Sequence, residues 1–378
     1  MDQNILIITG EPSGDIRAGE LLGELKKLLP DTVFWGIGGD SMRENGVELI
    51  EHVKNLSMVG VLEVLKKIPR IFSQYRNVTK NIKERKPDFA ILIDYPGFNL
   101  KIAKFLKKEN VPVIYYIIPQ VWAWGAGRVK LLKRFTDKIL VLFDFEKKFL
   151  SDHDTDSEFV GHPLVDKVPS QPAVEAENKD LTIALLPGSR ENEIKHIFPV
   201  ILDAAETIKD HGKNARFTLA ENSNIDKKLY DLVLEQHPRL DIERISDNTI
   251  GALAKADLAI VTSGTATLET AIMEKPMVVV YRAARLTAFL ARKFVKGVFV
   301  LGLVNIISGK EIVPEVLQER LTPEILADEV MKIIDNPSRT QEIKNDLRKV
   351  KQSLGEKGAS LRAAKAIKDF VENHSKNP

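Results

Sequence analysis

Short apolar runs alternate with longer amphipathic segments along most of the chain. The runs are rich in β-branched residues and are long enough to cross a sheet that is buried on both faces. This alternation is typical of parallel sheets built from βαβ units. The predicted strands are residues 5–9, 33–37, 89–94, 111–117, 138–142 and 159–161 in the first half, and residues 182–186, 216–220, 258–262 and 276–280 in the second half.

The pattern breaks between Lys167 and Asp180, where two prolines and many polar residues are typical of a domain linker. We therefore predict an α/β fold with two Rossmann-like, doubly wound domains that face a cleft. Ligands of such sheets bind outside the carboxyl ends of the strands. The predicted divisions are residues 1–168, a linker over 169–180, residues 181–355, and a final helix in 356–378 that crosses back to the first domain.

Composition and charge narrow the possible functions. The 378 residues are 44% apolar and 29% charged, which excludes a small module or a disordered chain. A net charge of +2 lacks the global positive field of a nonspecific nucleic-acid binder. The absence of cysteine removes disulfides and thiolate chemistry, and the seven histidines show no metal-binding spacing, so we expect no metal. Without a leader or a long apolar run, we expect a cytoplasmic protein.

Two glycine-containing loops follow the first two predicted strands, at residues 9–15 and 36–40. Their glycines permit tight turns and close backbone approach, and Ser13 or Asp15 could cap the following helix. A simple cap-and-turn role remains an equally good interpretation. The candidate binding residues in these loops are Gly10, Glu11, Ser13, Gly14, Asp15, Gly38 and Gly39.

Asp94 is the candidate catalytic base because it directly follows the apolar strand residues Ile91 to Ile93. Partial desolvation at a strand end raises the pKa of a carboxyl group toward the range of a general base. The alternative is an Asp that fixes the turn Tyr95 to Gly97 through the backbone. Trp122 follows the next strand and could shape a sugar or acyl site, or pack as a lid.

Two loops in the second half have the composition of phosphate sites. Gly188 and Ser189 allow backbone N–H groups to face an anion, and Arg190 can bind phosphate oxygens bidentately. A Ser-capped helix with an exposed arginine is the alternative. The segment from Thr262 to Thr270 repeats the arrangement, and the pair suggests a nucleotide diphosphate held by helix N-termini. The candidates in this second loop are Ser263, Gly264 and Thr265, with Glu269 placed to accept from ribose hydroxyls.

Residues 66–108 contain twelve Lys or Arg against three acids. An apolar stripe at helical spacing accompanies this charge, and such a stripe is ordinarily a core face. Its residues are Leu62, Leu65, Ile68, Phe72 and Tyr75. A basic amphipathic helix is also how a soluble enzyme sits on an anionic bilayer. The candidate membrane residues are Leu62, Leu65, Lys66, Lys67, Ile68, Arg70 and Phe72.

An ordered set of motifs resembles the lipid-A-disaccharide synthase family, whose members are inverting glycosyltransferases of the GT-B type. Gly97 stands where many members have a second acid, which leaves Asp94 as the matching acid. The motifs are SGD at 13–15, MVGVLEVL at 58–65, KPD at 86–88, IDYPGFN, PQVWAW with Arg128, FEKKF at 145–149, VGHPLVD at 160–166, LLPGSR, SGTATLE and NIISGKEIVPEVLQ at 305–318.

The resemblance implies transfer of 2,3-diacylglucosamine from UDP-2,3-diacylglucosamine to the 6-hydroxyl of 2,3-diacylglucosamine 1-phosphate. The products are the β-1′,6-linked disaccharide 1-phosphate and UDP. Asp94 would take or orient the proton of the attacking hydroxyl, and Arg190 would stabilise the departing UDP. The resemblance also places Asn305 at the donor site, with Glu269 and Gln318 as further candidates there, and implies no metal or other cofactor. The alternative for Asn305 is a turn residue.

Because both substrates carry acyl chains, the resemblance implies peripheral association with the cytoplasmic face of an anionic inner membrane. A homodimer through C-terminal segments is compatible with it. A UDP-sugar 2-epimerase or another GT-B transferase would share the diphosphate loops without an acyl site. A noncatalytic nucleotide-sugar-binding protein is the alternative outside enzymes, and it would have little use for Asp94.

Overall fold

The computed structural model describes residues 3–55, 61–119, 121–124, 126–169, 181–282 and 302–376. The chain divides into two compact units, which we describe separately. Unit 1 runs to Pro163 and resumes at Leu354, and unit 2 is Leu164–Ser353. The division falls before the boundary expected at residue 168, because the short helix at Leu164–Lys167 contacts a helix of unit 2.

Unit 1 is built on a seven-stranded parallel sheet in the order β3-β2-β1-β4-β5-β6-β7. The order reverses between β1 and β4, which is the topological switch point of a doubly wound sheet. The strands are β1 Asn4–Ile8, β2 Val33–Gly38, β3 Glu48–His52, β4 Phe89–Ile93, β5 Val113–Tyr116, β6 Lys138–Val141 and β7 Glu158–Phe159.

Helices cover both faces of this sheet, because alternate residues of each strand point to opposite faces and both sets are apolar. Leu6 and Ile8 face one helical layer, while Ile5 and Ile7 face the other. The helices are α1 Pro12–Leu28, α2 Asp40–Glu44, α3 Val61–Arg85, α4 Pro96–Lys108, α5 Val121–Trp124, α6 Ala126–Phe135 and α7 Asp144–Ser151.

Unit 2 repeats the same topology in a six-stranded parallel sheet of order β10-β9-β8-β11-β12-β13. Its strands are β8 Leu181–Leu186, β9 Ala215–Glu221, β10 Ile242–Ser246, β11 Leu258–Thr262, β12 Met277–Tyr281 and β13 Glu315–Leu317. Its helices are α8 Leu164–Lys167, α9 Glu191–His196, α10 Phe198–Asp210, α11 Lys227–Leu234, α12 Thr249–Lys255, α13 Thr265–Ile272, α14 Leu303–Ser308, α15 Pro323–Ile334 and α16 Pro337–Ser353.

The last helix, α17 Ala359–Lys376, packs in unit 1 against α1 and the sheet. Its buried face includes Ala363, Ile367 and Val371, which join the core around Ile5 and Ile7. Arg362 donates from Nε to the carbonyl oxygen of Val160 at 2.8 Å. No helix within the described ranges is long and apolar enough to cross a bilayer.

The ten predicted strands are all present, with bounds shifted by a few residues. Three strands were missed: β3, β10 and β13, and each lies at an edge of its sheet. Edge strands have one side open to solvent and tolerate polar residues, as in the sequences ELIEH and IERIS. The continuous apolar run that marks a central strand is therefore absent from them.

Candidate functional site

A pocket of about 340 Å³ lies at the carboxyl ends of β4, β5 and β6 in unit 1. Two carboxyl groups and one guanidinium group face it, and the rest of its wall is largely apolar. The lining residues are Asp94, Pro96, Ile117, Ile118, Pro119, Trp122, Arg128, Leu142, Phe143 and Glu146. The strand-end positions singled out in the sequence, Asp94 and Trp122, are thus brought together in one pocket.

Asp94 is held in an unusual backbone conformation directly after β4. Its φ is 49° and that of Tyr95 is 51°, so two consecutive residues other than glycine are left-handed. This strain persists only where surrounding contacts fix it. The Asp94 carbonyl oxygen accepts hydrogen bonds from Tyr115 Oη at 2.7 Å and Asn99 Nδ2 at 2.8 Å, and its amide donates to Ile117 at 3.1 Å. The backbone is therefore clamped, and the carboxyl group faces the pocket.

The pKa of Asp94 is raised to about 6, mainly by burial and also by the negative charge of Glu11. A hydrogen bond from the Tyr95 amide lowers this pKa in part, so the turn-stabilising contact expected from the alternative interpretation is also present. A carboxyl group with this pKa changes its charge just below neutral pH. It can therefore accept a proton from a hydroxyl group and release it again.

Glu146 supplies a second carboxyl group that the sequence analysis did not assign a role. It is buried, and its oxygens accept from Trp122 Nε1 at 3.4 Å and from the Phe143 amide at 3.3 Å. Burial raises the pKa of Glu146 to about 8, against these hydrogen bonds, which lower it. The signal in the sequence was its position in the first turn of α7, the helix that follows the buried strand β6.

The first two glycine loops hold each other instead of lining the pocket. Asp15 does not cap its own helix: its Oδ1 accepts from the Gly39 amide at 2.6 Å and its Oδ2 from the Ser41 amide at 3.0 Å, which caps α2. A Cβ on Gly10 would lie 2.2 Å from the Tyr95 ring, so only glycine allows that ring its place beside Asp94. Gly14, Gly38 and Gly39 are likewise packed against side chains, whereas Glu11 and Ser13 are exposed.

The loop at residues 188–190 differs from the predicted phosphate cradle. The amides of Ser189 and Arg190 both donate to Glu193 Oε2, at 2.8 and 3.1 Å. These N–H groups are therefore occupied by a carboxylate of the chain itself, and a Cβ on Gly188 would lie 2.2 Å from that oxygen. The Arg190 guanidinium is largely exposed, with one hydrogen bond to Glu193 Oε1 at 3.0 Å.

The second predicted phosphate loop keeps an open helix start. α13 begins at Thr265, and its N-cap residue is Gly264, which has no side chain to cap the first turn. Gly264 and Thr265 are exposed, and Ser263 and Glu269 are half-buried. The anion site expected at this helix start stays a prediction.

Asn305 is held within the chain by hydrogen bonds, which fits the alternative of a turn residue, and its place at the donor site stays a prediction. It is buried, and Nδ2 donates to the Val313 carbonyl at 2.9 Å and to Glu315 Oε1 at 2.8 Å. Its Oδ1 accepts from the amides of Ile312 and Val313 at 2.8 and 3.0 Å. All four hydrogen-bonding positions of the amide are used within the chain. Gln318, with φ of 55°, begins a short 3₁₀ turn after β13.

The basic amphipathic segment forms the long helix α3. Phe72 is 55% exposed with the Arg76 guanidinium 4.5 Å from its ring centroid, and Arg70 is exposed too. Tyr75, by contrast, packs against the core, so the predicted stripe divides between two environments. The side chains of Leu62, Leu65, Lys66, Lys67 and Ile68 lie outside the described residues.

Comparison with known proteins gives the family. The profile of lipid-A-disaccharide synthetase, LpxB, matches residues 5–370. The lipid-A-disaccharide synthase of Anaeromyxobacter dehalogenans (strain 2CP-1) is 39% identical over 375 residues, covering 97% of each chain. The chain belongs to the lipid-A-disaccharide synthase family.

Solved structures agree on the fold of this family member. The calicheamicin glycosyltransferase CalG4 superposes with a TM-score of 0.64 at 13% identity, over 100% of both chains. The S. aureus MnaA–UDP co-structure gives a TM-score of 0.63 at 13% identity, covering 100% of this chain and 99% of that one. The predicted α/β fold of GT-B type is confirmed. The family match confirms the prediction of a glycosyltransferase that uses a UDP-sugar.

Proposed function

We propose that the protein joins two acylated glucosamine units. It transfers 2,3-diacylglucosamine from UDP-2,3-diacylglucosamine to the 6-hydroxyl of 2,3-diacylglucosamine 1-phosphate, with inversion at the anomeric carbon and release of UDP. Membership of the lipid-A-disaccharide synthase family supports this reaction. The observation that carries the mechanism is Asp94, a clamped and largely desolvated carboxyl group in a pocket of unit 1.

In this mechanism the carboxylate of Asp94 accepts the proton of the 6-hydroxyl as its oxygen attacks the donor anomeric carbon. The bond from that carbon to the UDP oxygen breaks as the new glycosidic bond forms, and the electron pair leaves with UDP. Transition states of this type have oxocarbenium character. Withdrawal of the proton makes the hydroxyl oxygen a better nucleophile at neutral pH.

The departing diphosphate is assigned to unit 2. Arg190 presents an exposed guanidinium after β8, and α13 begins after a glycine N-cap, Gly264, that follows the neighbouring strand β11. Both features favour an anion. Glu193 fixes the loop that carries Arg190, so this loop contributes through the arginine side chain and not through its own N–H groups.

The direct test is incubation with the two defined lipids and detection of disaccharide and UDP. Disaccharide that forms only when both lipids are present supports the transferase. A changed donor without acceptor would support a UDP-sugar 2-epimerase and contradict the proposal. UDP binding without turnover, unaffected by Asp94→Ala, would support a noncatalytic binding protein. Asp31→Asn, an exposed carboxyl group on the same unit, is the control for charge removal.

Peripheral membrane association is a further part of the proposal. Helices α3, α4 and α6 cover one face of the unit 1 sheet, and neither α4 nor α6 contains an acid. Such a layer attracts anionic headgroups. The acyl chains of both proposed substrates are apolar, so they are expected to stay near a bilayer. Exposed basic residues of this layer are Arg70, Arg76, Lys80, Lys83, Lys101, Lys104, Lys107, Lys108, Lys130, Lys133 and Arg134.

Vesicle sedimentation tests this association. Replacing Leu65, Ile68 and Phe72 by Ser is expected to release the protein from anionic vesicles while its thermal unfolding stays unchanged. The matched control is Leu232→Ser on α11 of unit 2, where the leucine is 60% exposed. Unchanged vesicle binding by the triple variant would contradict the role of the stripe.

A further inference from the structure

Arg128 is the cation of the Asp94 pocket, and the mechanism described above does not use it. It lies in the first turn of α6 and is exposed at the pocket wall. Although Asp94 and Glu146 line the same pocket, Arg128 forms an ion pair with neither of them. An arginine that lines a pocket, with no acidic partner among the described residues, can offer N–H donors to a ligand.

The charges of Asp94 and Arg128 both affect Tyr115. The hydroxyl group of Tyr115 donates to the Asp94 carbonyl oxygen. The charge of Asp94 raises the pKa of this buried phenol and the charge of Arg128 lowers it, although burial is the larger cause of its raised value. Both charges therefore act on the same hydroxyl group. The pKa of Asp94 itself is raised, as expected for a carboxyl group that no close cation stabilises.

The size and walls of the pocket indicate what fits between the two charges. A volume of about 340 Å³ is at the lower end of small-molecule sites and suits one sugar ring with a small substituent. Trp122 and Phe143 provide flat apolar walls of the kind that pack against sugar rings. A ligand with a hydroxyl group at one end and an anion at the other would satisfy both Asp94 and Arg128.

We propose that Arg128 binds a phosphate group, and specifically the anomeric phosphate of the acceptor, while Asp94 addresses the hydroxyl group at the other end of the same sugar. A guanidinium group binds phosphate oxygens through two parallel charge-assisted hydrogen bonds. This inference rests on the proposed function. The phosphate could otherwise come from the donor diphosphate, and the experiment separates the two sources.

The experiment measures kcat/KM with 2,3-diacylglucosamine 1-phosphate and with the same acceptor lacking its phosphate. Both are presented in neutral detergent micelles, so that surface charge does not contribute. Wild-type protein is expected to prefer the phosphorylated acceptor. Arg128→Gln should lower kcat/KM for that acceptor by about 10- to 100-fold, the value of a charge-assisted hydrogen-bonded pair, and leave the other acceptor unchanged.

Two further variants sharpen the result. Arg128→Lys keeps the positive charge but loses the two parallel N–H donors of the guanidinium group. It should therefore recover only part of the preference for the phosphorylated acceptor. Arg239→Gln, which removes an exposed arginine from unit 2, should leave both acceptors unchanged. The KM for the UDP donor should be the same in all variants.

Three outcomes would overturn the proposal. They are equal losses on both acceptors, a rise confined to the KM of the donor, and a wild-type enzyme that does not distinguish the acceptors. Failure of wild-type protein to make disaccharide from either acceptor would instead contradict the proposed function. The two failures are therefore distinguishable.

Discussion

The two units share one strand topology but use the polar groups at their strand ends differently. In unit 1 the side chains of Asp94 and Arg128 face a pocket and form no ion pair with each other. In unit 2 Glu193 and Asn305, near predicted donor loops, use their hydrogen-bonding groups within the chain. The comparison indicates a rule. A polar side chain whose hydrogen-bonding groups are all used within the chain stabilises a loop, and one with unused hydrogen-bonding groups is available to a ligand.

Substitution of Asp94 is expected to give the largest effect and tests the unit 1 side of this comparison. Asp94→Asn keeps the shape of the side chain but removes its capacity to accept a proton. We expect kcat to fall by about 10²- to 10⁴-fold, the range for loss of a general base, with KM values nearly unchanged. Steady-state kinetics on the two lipid substrates provide the measurement. A variant with wild-type kcat would assign Asp94 to the turn alone.

Glu146 tests whether the second pocket carboxyl group is neutral in the folded protein. Its pKa is raised from 4.5 to about 8, so its contribution to stability is full below 4.5 and is lost as the pH rises through 8. The free energy of unfolding of wild type minus that of Glu146→Gln should therefore fall by roughly 1.4 kcal/mol per pH unit between those values. Urea unfolding from pH 5 to 8 measures it. A difference that does not change with pH would refute the buried neutral state.

Asn305 tests the opposite class of residue in unit 2. Asn305→Ala removes four buried hydrogen bonds, which should lower the free energy of unfolding by about 2–4 kcal/mol. Chemical denaturation measures this, with the exposed Asn345→Ala on α16 as the control. If the free energy of unfolding is unchanged while the KM for the UDP donor rises, Asn305 contacts the donor and does not act as a structural residue.

Glu193 is expected to give the smallest effect. Glu193→Ala leaves the amides of Ser189 and Arg190 without their acceptor at the start of α9, at a cost of about 1 kcal/mol. Thermal unfolding detects the loss. The KM for the donor should rise only a few-fold, because Arg190 retains its charge. A fall in this KM would show that Glu193 competes with the donor for the loop.

The sequence predicted the central architecture because buried parallel strands are continuous apolar runs between helices. It predicted the position of Asp94 for the same reason. An acid directly after the strand residues Ile91 to Ile93 must lie at the carboxyl end of the parallel sheet. The edge strands β3 and β10 were missed because charged residues interrupt the apolar run by which a strand is recognised.

The sequence did not predict several side-chain contacts. These contacts join segments that are distant in sequence or depend on turn geometry. Asp15 caps a helix that begins at residue 40, and the four bonds of Asn305 depend on the path of residues 312–315. Neither pairing is a property of local composition. Glu146 gave a local signal after β6, but its burial beside Trp122 requires the fold.

The central claim is that Asp94 acts as a base with a pKa set by burial. The most direct test is the pH profile of kcat/KM for wild type and Asp94→Asn. Because the active form is the carboxylate, the wild-type rate should rise through an acidic limb with a midpoint near the raised pKa of about 6. The variant should lose both this limb and most of the rate. A variant that retains the rate and the same limb would contradict the account.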